Sequence, residues 1–399
     1  MATFGGHLHP TLKATWERID VPALPRSSHS INVVAGKAYI FGGEISPREP
    51  VDNDMHVIVL PSASTAADYY NVKAKAASPP NEGKQPTATS APGDVPAPRV
   101  GHATATLGTR IFLFGGRGGP DMQPLQEHGR VWVFDTTTHR WSHLDPCGPA
   151  AQPPSPAHYP AARSYHAAAG VDGAFLVHGG CLAAGRANDV WAFDVRARVW
   201  QALPAAPGKP RGGTSVAVAG STLWRFGGFN GAAEEGGQLD CLALGGDEAS
   251  AGDGVLGAKG AWKSILADAA ADGDEGAGAE TVTERPHWPG PRSVAGMHPV
   301  TVGGRERLVL LLGERDPSTA GHAAAGKFWN DIWVYASEEG KWLEVEVETA
   351  GGPGPRGWFA SAPIDMGAEE RGVVLWGGLD GANRRLGDGW ILRIGGGEG

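Results

Sequence analysis

The chain is poor in cysteine: Cys147, Cys181 and Cys241 are the only three in 399 residues, far apart and odd in number. That excludes a disulfide framework and any Cys-x-x-Cys metal or redox pair, and it fits reduced thiols in a cytosolic protein. Charge is also scarce, at 19 % of residues, and its balance is −9. A mildly acidic chain has no general attraction for phosphate backbones or anionic lipid, so no nucleic-acid or membrane partner is expected. No apolar run approaches the roughly 20 residues needed to cross a bilayer. Residues 1–20 show no basic stretch followed by an apolar one, so no secretory signal is read there. Neither a Gly-x-Ser-x-Gly elbow nor a Gly-x-Gly-x-x-Gly turn between strand and helix occurs, which argues against a nucleophilic hydrolase and a dinucleotide fold.

What the chain has is glycine and proline, 61 and 31, close to a quarter of all residues. Both break helices, so long helices and coiled coils are excluded. A hydrophobic share of 41 % with 14 Trp must be buried somewhere, which excludes wholesale disorder.

Aligned with itself, the chain repeats one phrase six times. Each copy opens on Pro-Arg or Ala-Arg, passes a short alternating stretch and a turn, and climbs an apolar run to Gly-Gly. The openings are Arg26, Arg99, Arg163, Arg211, Arg292 and Arg356; the runs end at Gly43, Gly116, Gly180, Gly228, Gly313 and Gly378. In the fifth copy Leu312 replaces the first glycine. A loop follows, then an aromatic strand such as Val131-Trp132-Val133-Phe134, then a stretch carrying Trp141, Trp200, Trp262 or Trp342. Runs such as Ile111-Phe112-Leu113-Phe114 are apolar on both faces, as for strands sandwiched between sheets. The outer Trp rings are expected to cover the gaps between neighbouring sheets.

This diglycine-and-tryptophan pattern resembles kelch repeats, which build β-propellers. The resemblance implies an all-β, six-bladed propeller with four antiparallel strands per blade. The sixth copy lacks its Trp strand, and Ala14-Thr15-Trp16-Glu17-Arg18-Ile19 is expected to supply it, closing the ring without a free edge. The organisation expected is a single domain over 1–399: a closing strand at 14–21 and blades at about 25–75, 98–145, 162–204, 210–267, 291–347 and 355–395. Tyr69-Tyr70-Asn71-Val72 is expected as blade one's outer strand. Residues 61–94, 245–260 and 268–290 read as mobile surface insertions.

Antiparallel order returns the loop after each Gly-Gly to the face on which the opening arginine sits. Glu44, Arg117, Cys181, Phe229, Glu314 and Leu379 should therefore share one channel mouth with the six arginines. A guanidinium ring there is either an anion site or a set of structural bonds to carbonyls and acids between blades. Arg117, which follows Gly-Gly in one copy alone, has the stronger functional reading. In the fifth copy Glu314, Asp316 and His322 place two carboxylates and an imidazole within nine residues, a possible N/O set for Fe(II) or Mn(II). His29, His102 and His166 recur at equivalent positions and read as packing residues, as do Trp224 and Trp376. Trp288 and Trp358 lie outside the repeat and are candidates for function.

A narrower resemblance rests on Pro25-Arg26-Ser27-Ser28-His29 with Phe41-Gly42-Gly43-Glu44, Phe114-Gly115-Gly116-Arg117, Ala162-Arg163-Ser164-Tyr165-His166, Arg211-Gly212-Gly213, the stretch from Gly313-Glu314 to Gly321-His322, and Pro355-Arg356-Gly357-Trp358. In these the chain resembles the plant nitrile-specifier, thiocyanate-forming and epithiospecifier proteins. The resemblance implies a lyase acting on an unstable thiohydroximate sulfate, with Fe(II) at a Glu-x-x-x-Asp-x-x-x-His loop. Glu314 and His322 match the ends of that loop; Ser318 stands at its middle, and Asp316 is the nearby substitute. It further implies that Arg117 binds a substrate anion between Tyr165 and Trp358, with Glu44 and Arg356 as further substrate-binding candidates. Arg117, Glu314 and His322 would be catalytic. The alternative is a non-catalytic kelch module binding a protein partner at the same mouth, against which stands the lack of a BTB-like or F-box-like segment. A copper-radical oxidase is disfavoured, because the six Tyr and three Cys give no evident copper grouping.

Overall fold

The computed structural model describes residues 12–77, 94–147, 156–171, 173–245, 256–267, 288–319, 324–348, 351–366 and 371–396. These residues form β-strands, with one short 3-10 turn at Pro156–His158. The first copy folds as Ser30–Val34, Lys37–Phe41, Met55–Val59 and Asp68–Val72, hydrogen-bonded in that order as an antiparallel sheet. The Tyr69-Tyr70 segment is thus an outer strand. The second and third copies repeat this order, and the fourth does so with Lys263–Leu266 outermost. The last two sheets are fused edge to edge. Leu12–Ile19 pairs antiparallel with Gly389–Gly396 along its whole length and, through Leu12 to Ala14, parallel with Val345 to Val347.

Strand period places the core. In the second copy Ile111 and Leu113 pack with Tyr39, Phe41 and Val57 of the first copy. Phe112 and Phe114, pointing the other way, pack with Phe175, Val177 and Phe193 of the third. Six such clusters occur among the described residues, each shared by two neighbouring sheets, the last joining the sixth copy back to the first. Trp141 covers one gap, lying 5.1 Å edge-on from Phe41 of the neighbouring sheet, and Trp200 lies 5.2 Å from Phe114 in the next. Each ring adds roughly 0.5–1.5 kcal/mol of aromatic contact beyond its burial.

The Gly-Gly pairs sit where neighbouring backbones nearly touch. Gly116 N donates to Arg163 O at 2.8 Å, and a Cβ on Gly115 (φ 63°) would lie 2.6 Å from the same oxygen. Leu312, standing at the first glycine of the fifth copy, adopts the same left-handed backbone with φ 53°. A side chain there costs about 1–2 kcal/mol of backbone strain, against which Leu312 gains nearly complete burial in the core.

The insertion at 245–260 is not all surface loop. Leu256 is buried against the third and fourth sheets, and Gly257–Ala258 pairs with Leu244 and Gly245. An apolar side chain within the Gly/Ala/Asp stretch anchors it. Most of 268–290 lies outside the described residues. Trp288, at its end, packs 6.4 Å from Trp342 within the core rather than at the mouth.

Candidate functional site

Three nested circuits of backbone bonds build the mouth. In the outer one, the residue after each opening arginine exchanges both backbone bonds with the residue after each Gly-Gly: Ser27 with Glu44, Val100 with Arg117, Ser164 with Cys181, Gly212 with Phe229, Ser293 with Glu314 and Gly357 with Leu379. The next links neighbouring sheets, from the second glycine of each copy to the arginine carbonyl of the following one, ending with Gly378 N to Arg26 O at 2.9 Å. The innermost runs head to tail through Ser28, Gly101, Tyr165, Gly213, Val294 and Trp358, each N–H donating to the carbonyl of the adjacent copy. All six of these residues have positive φ, from 47° at Val294 to 63° at Gly213. That twist turns each backbone inward far enough to meet its neighbour around the axis.

A cavity of about 610 Å³ opens above this innermost circuit. The six residues after Gly-Gly all line it. Tyr165 and Trp358 form its wall, edge to face at 5.3 Å. Gly101 has no side chain where the Tyr165 ring passes, and a Cβ there would meet the ring at 2.8 Å. Burial, opposed only in part by Arg117, pushes the Tyr165 phenol up to about 12, so it is a neutral donor and acceptor.

Arg117 lies over the Tyr165 ring at 5.5 Å and donates from Nε to Ser164 Oγ at 2.9 Å. No carboxylate pairs with it among the described residues. Arg186, which sequence reasoning missed, enters from the strand opposite Cys181 and lies over the Phe229 ring at 5.0 Å. It too has no salt-bridge partner among the described residues, and its Nε is buried without a partner. Glu44 is buried and already held: Oε1 accepts from Arg385 Nη2 at 2.8 Å and Oε2 from Arg48 N at 2.7 Å. Burial raises the Cys181 thiol, with Arg186 and Arg117 opposing.

The opening arginines do not form an anion ring. Arg356, expected to bind substrate, is 3 % exposed, does not line the cavity, and donates to Gly377 O at 3.1 Å and to Asp388 at 2.7 and 3.1 Å. Arg163 and Arg292 grip Asp189 and Asp331 in the same two-pronged way, and Arg99 grips Glu127. In each case a strand Trp donates to the same acid, as Trp390 Nε1 does to Asp388 at 2.7 Å. A buried fork matched to a carboxylate has no charge left for a ligand. Arg211 shows the rule by exception: Gln238 replaces the acid, and Arg211 reaches Glu235 only at 3.7 Å.

Glu314 is 6 % exposed and lines the cavity. Burial pushes its carboxyl up to about 7, opposed only by the Gly326 backbone N–H. Glu234, also missed, receives a bond from Ser293 Oγ at 3.1 Å and is pushed up to about 8 by burial, with Glu314 and Asp316 adding repulsion and Arg186 opposing. Asp316 is not beside Glu314's carboxyl. It faces solvent, 3.6 Å from Lys327 and 3.4 Å from Arg315, outside the cavity. The donors expected for iron are therefore not assembled: Glu314 faces inward, Asp316 outward, and His322 lies outside the described residues. No group of three metal-ligating side chains converges among the described residues. Ser318 lines the cavity where the specifier pattern has its middle carboxylate, so that position points inward without the charge iron would need.

Residues 28–244 match the model of the KLHDC2/KLHL20/DRC7 Kelch-repeats domain. The chain is 30 % identical over 234 residues to an "N-(sulfonatooxy)prop-2-enimidothioate sulfolyase" of Thlaspi arvense, covering 55 % of this chain and 57 % of the relative. It is 33 % identical over 135 residues to "Kelch domain-containing protein 3" of Bos taurus, 33 % of this chain and 35 % of that one. The chain thus spans between a third and three fifths of these relatives' lengths. Among solved structures, one described as the structure of YjhT superposes with a TM-score of 0.60 over 92 % of this chain and 95 % of its own, at 14 % identity. That likeness shows the fold alone. No helix among the described residues is long and apolar enough to cross a membrane.

Proposed function

The chain belongs to the kelch-repeat family, and from that premise we propose that it is a six-bladed propeller whose mouth binds a small organic anion. The blade count rests on the six four-stranded units and on the closing strand at Leu12–Ile19. One observation carries the ligand: Arg117 and Arg186 line the cavity of an acidic protein, and neither is paired with a carboxylate among the described residues. Guanidinium forks in a partly desolvated cleft bind sulfate, phosphate and carboxylate groups through paired, charge-assisted bonds. The volume suits a small molecule, and the ring faces of Tyr165, Trp358 and Phe229 supply the apolar walls such sites need.

The name of the Thlaspi arvense relative puts a sulfonatooxy group on its substrate, and we take an organic sulfate as the class to test first. In a specifier-like lyase Arg117 would hold the sulfate end as charge leaves with it, and Glu314 would hold or release the proton. No step is drawn through iron: Asp316 faces away from Glu314, and His322 lies outside the described residues.

The family match and the kelch domain-containing relative favour a second reading, a protein-interaction module using the same mouth. Isothermal titration separates the two. Butyl sulfate is expected to bind and butanol not, with Arg117→Gln plus Arg186→Gln weakening the sulfate about tenfold or more. If butyl sulfate, butanesulfonate and butyrate all fail to bind while one protein partner co-purifies in equal amount, the interaction reading stands instead.

A further inference from the structure

The cavity has two electrically opposite sides. Counting along the innermost circuit, Arg117 stands at the Gly101 station and Glu314 at the Val294 station, three steps apart in a ring of six and hence across the axis from one another. Arg186 extends the cationic arc from the third station toward Phe229. Glu234, bonded to Ser293, is near enough to Glu314 for their charges to repel but does not itself line the cavity.

Among the described residues no cation pairs with Glu314. The basic residues nearest Glu314 in the chain turn away: Arg315 stacks over Trp329 at 5.1 Å and pairs with Asp316, and Lys327 pairs with Asp316 as well. Arg385 is taken by Glu44. Arg186 is near enough to Glu234 to favour its charge but does not pair with it. Glu314 is thus a buried carboxyl facing a cavity with a single backbone N–H against it. A group so placed either keeps a proton or receives a positive charge from outside, since an isolated buried carboxylate is strongly disfavoured. Its Oε1 fills the space a side chain at Gly326 would take, so a glycine there lets the loop backbone pack against and donate to the carboxyl.

We propose that the molecule bound here is two-ended: an anionic head on Arg117 and Arg186, and an ammonium-type tail received across the cavity by Glu314. The inference rests on the anion-binding reading above and narrows its ligand to zwitterions such as aminosulfonates. Trp358, Tyr165 and Phe229 between the two poles offer ring faces that also favour a passing cation.

The test compares ω-aminoalkanesulfonates of two to six carbons with alkanesulfonates of equal chain length by isothermal titration at pH 7.5. At the chain length that spans the cavity, the amino compound is expected to bind about tenfold tighter. Glu314→Gln should bring that ratio to near one, and Arg117→Gln should weaken both. The wild-type ratio needs no variant to fold. Equal binding across the series, with sulfonates still bound, overturns the two-ended ligand and leaves the anion site standing. Failure of every sulfonate to bind overturns both.

Discussion

Lowering the pH should unfold this protein through its buried histidines, against a partial counterweight from Glu314 and Glu234. His29, His102 and His166 are each 6 % exposed and His178 is 2 % exposed. Burial holds His166 and His178 down to about 3, and His29 and His102 well below the ordinary 6.5, with neighbouring arginines pushing the same way. The unfolded chain takes up these protons near pH 6.5 and the folded chain does not, so stability is complete above that pH and lost below it. His298, held down to about 4 by burial, adds to them. Between pH 6.5 and 5 the five histidines together cost roughly 8 kcal/mol. Glu314 and Glu234 act oppositely. Their folded values near 7 and 8 mean that the folded state binds the extra proton in this window. They return about 3–4 kcal/mol, leaving a net loss of roughly 4–5 kcal/mol. Urea unfolding followed by Trp fluorescence at pH 6.5 and 5 measures this. The Glu234→Gln, Glu314→Gln variant, which has lost the counterweight, should fall by the full amount, roughly 8 kcal/mol. A wild-type stability unchanged across the window, or a variant no steeper than wild type, refutes the reasoning.

Other consequences are equally measurable. Gly115→Ala puts a Cβ against Arg163 O in a left-handed backbone and should cost more than 2 kcal/mol in chemical denaturation. Arg225 and Asp240 are 0 % and 1 % exposed and 2.9 Å apart; other copies carry an aliphatic residue at the first position, and at the second four carry Trp and the first His56. Asp240→Ala alone should cost about 3–5 kcal/mol, whereas Arg225→Leu with Asp240→Trp should melt at or above wild type. A chain starting at Val21 loses the strand that pairs with Gly389–Gly396; size-exclusion chromatography should show it associating through the opened edge.

Much of the architecture was readable from the period of the repeats, because Gly-Gly and Trp mark contacts that the fold requires of every copy. The sharing of one mouth by Glu44, Arg117, Cys181, Phe229, Glu314 and Leu379 followed from strand direction alone. Side-chain pairing did not follow. Arg356 and Arg117 were both substrate-binding candidates in the sequence, yet Asp388 neutralises the first and nothing among the described residues pairs with the second. The signal was present, since Asp189-Val190-Trp191, Asp331-Ile332-Trp333 and Asp388-Gly389-Trp390 share an acid two residues before Trp. Arg186 and Glu234 escaped notice because their stretches of sequence match no other copy. Asp316 looked like a ligand by spacing, but the strand Glu314–Asp316 is bulged against Lys327–Phe328 and leaves Asp316 outside.

The most direct test of the anion site is a crystal structure with butyl sulfate at saturating concentration. The account predicts sulfate oxygens about 2.7–2.9 Å from guanidinium nitrogens of Arg117 and Arg186, the range of charge-assisted bonds, with the alkyl chain against Tyr165 and Trp358. Sulfate bound elsewhere, or a cavity holding only water at that concentration, would contradict it.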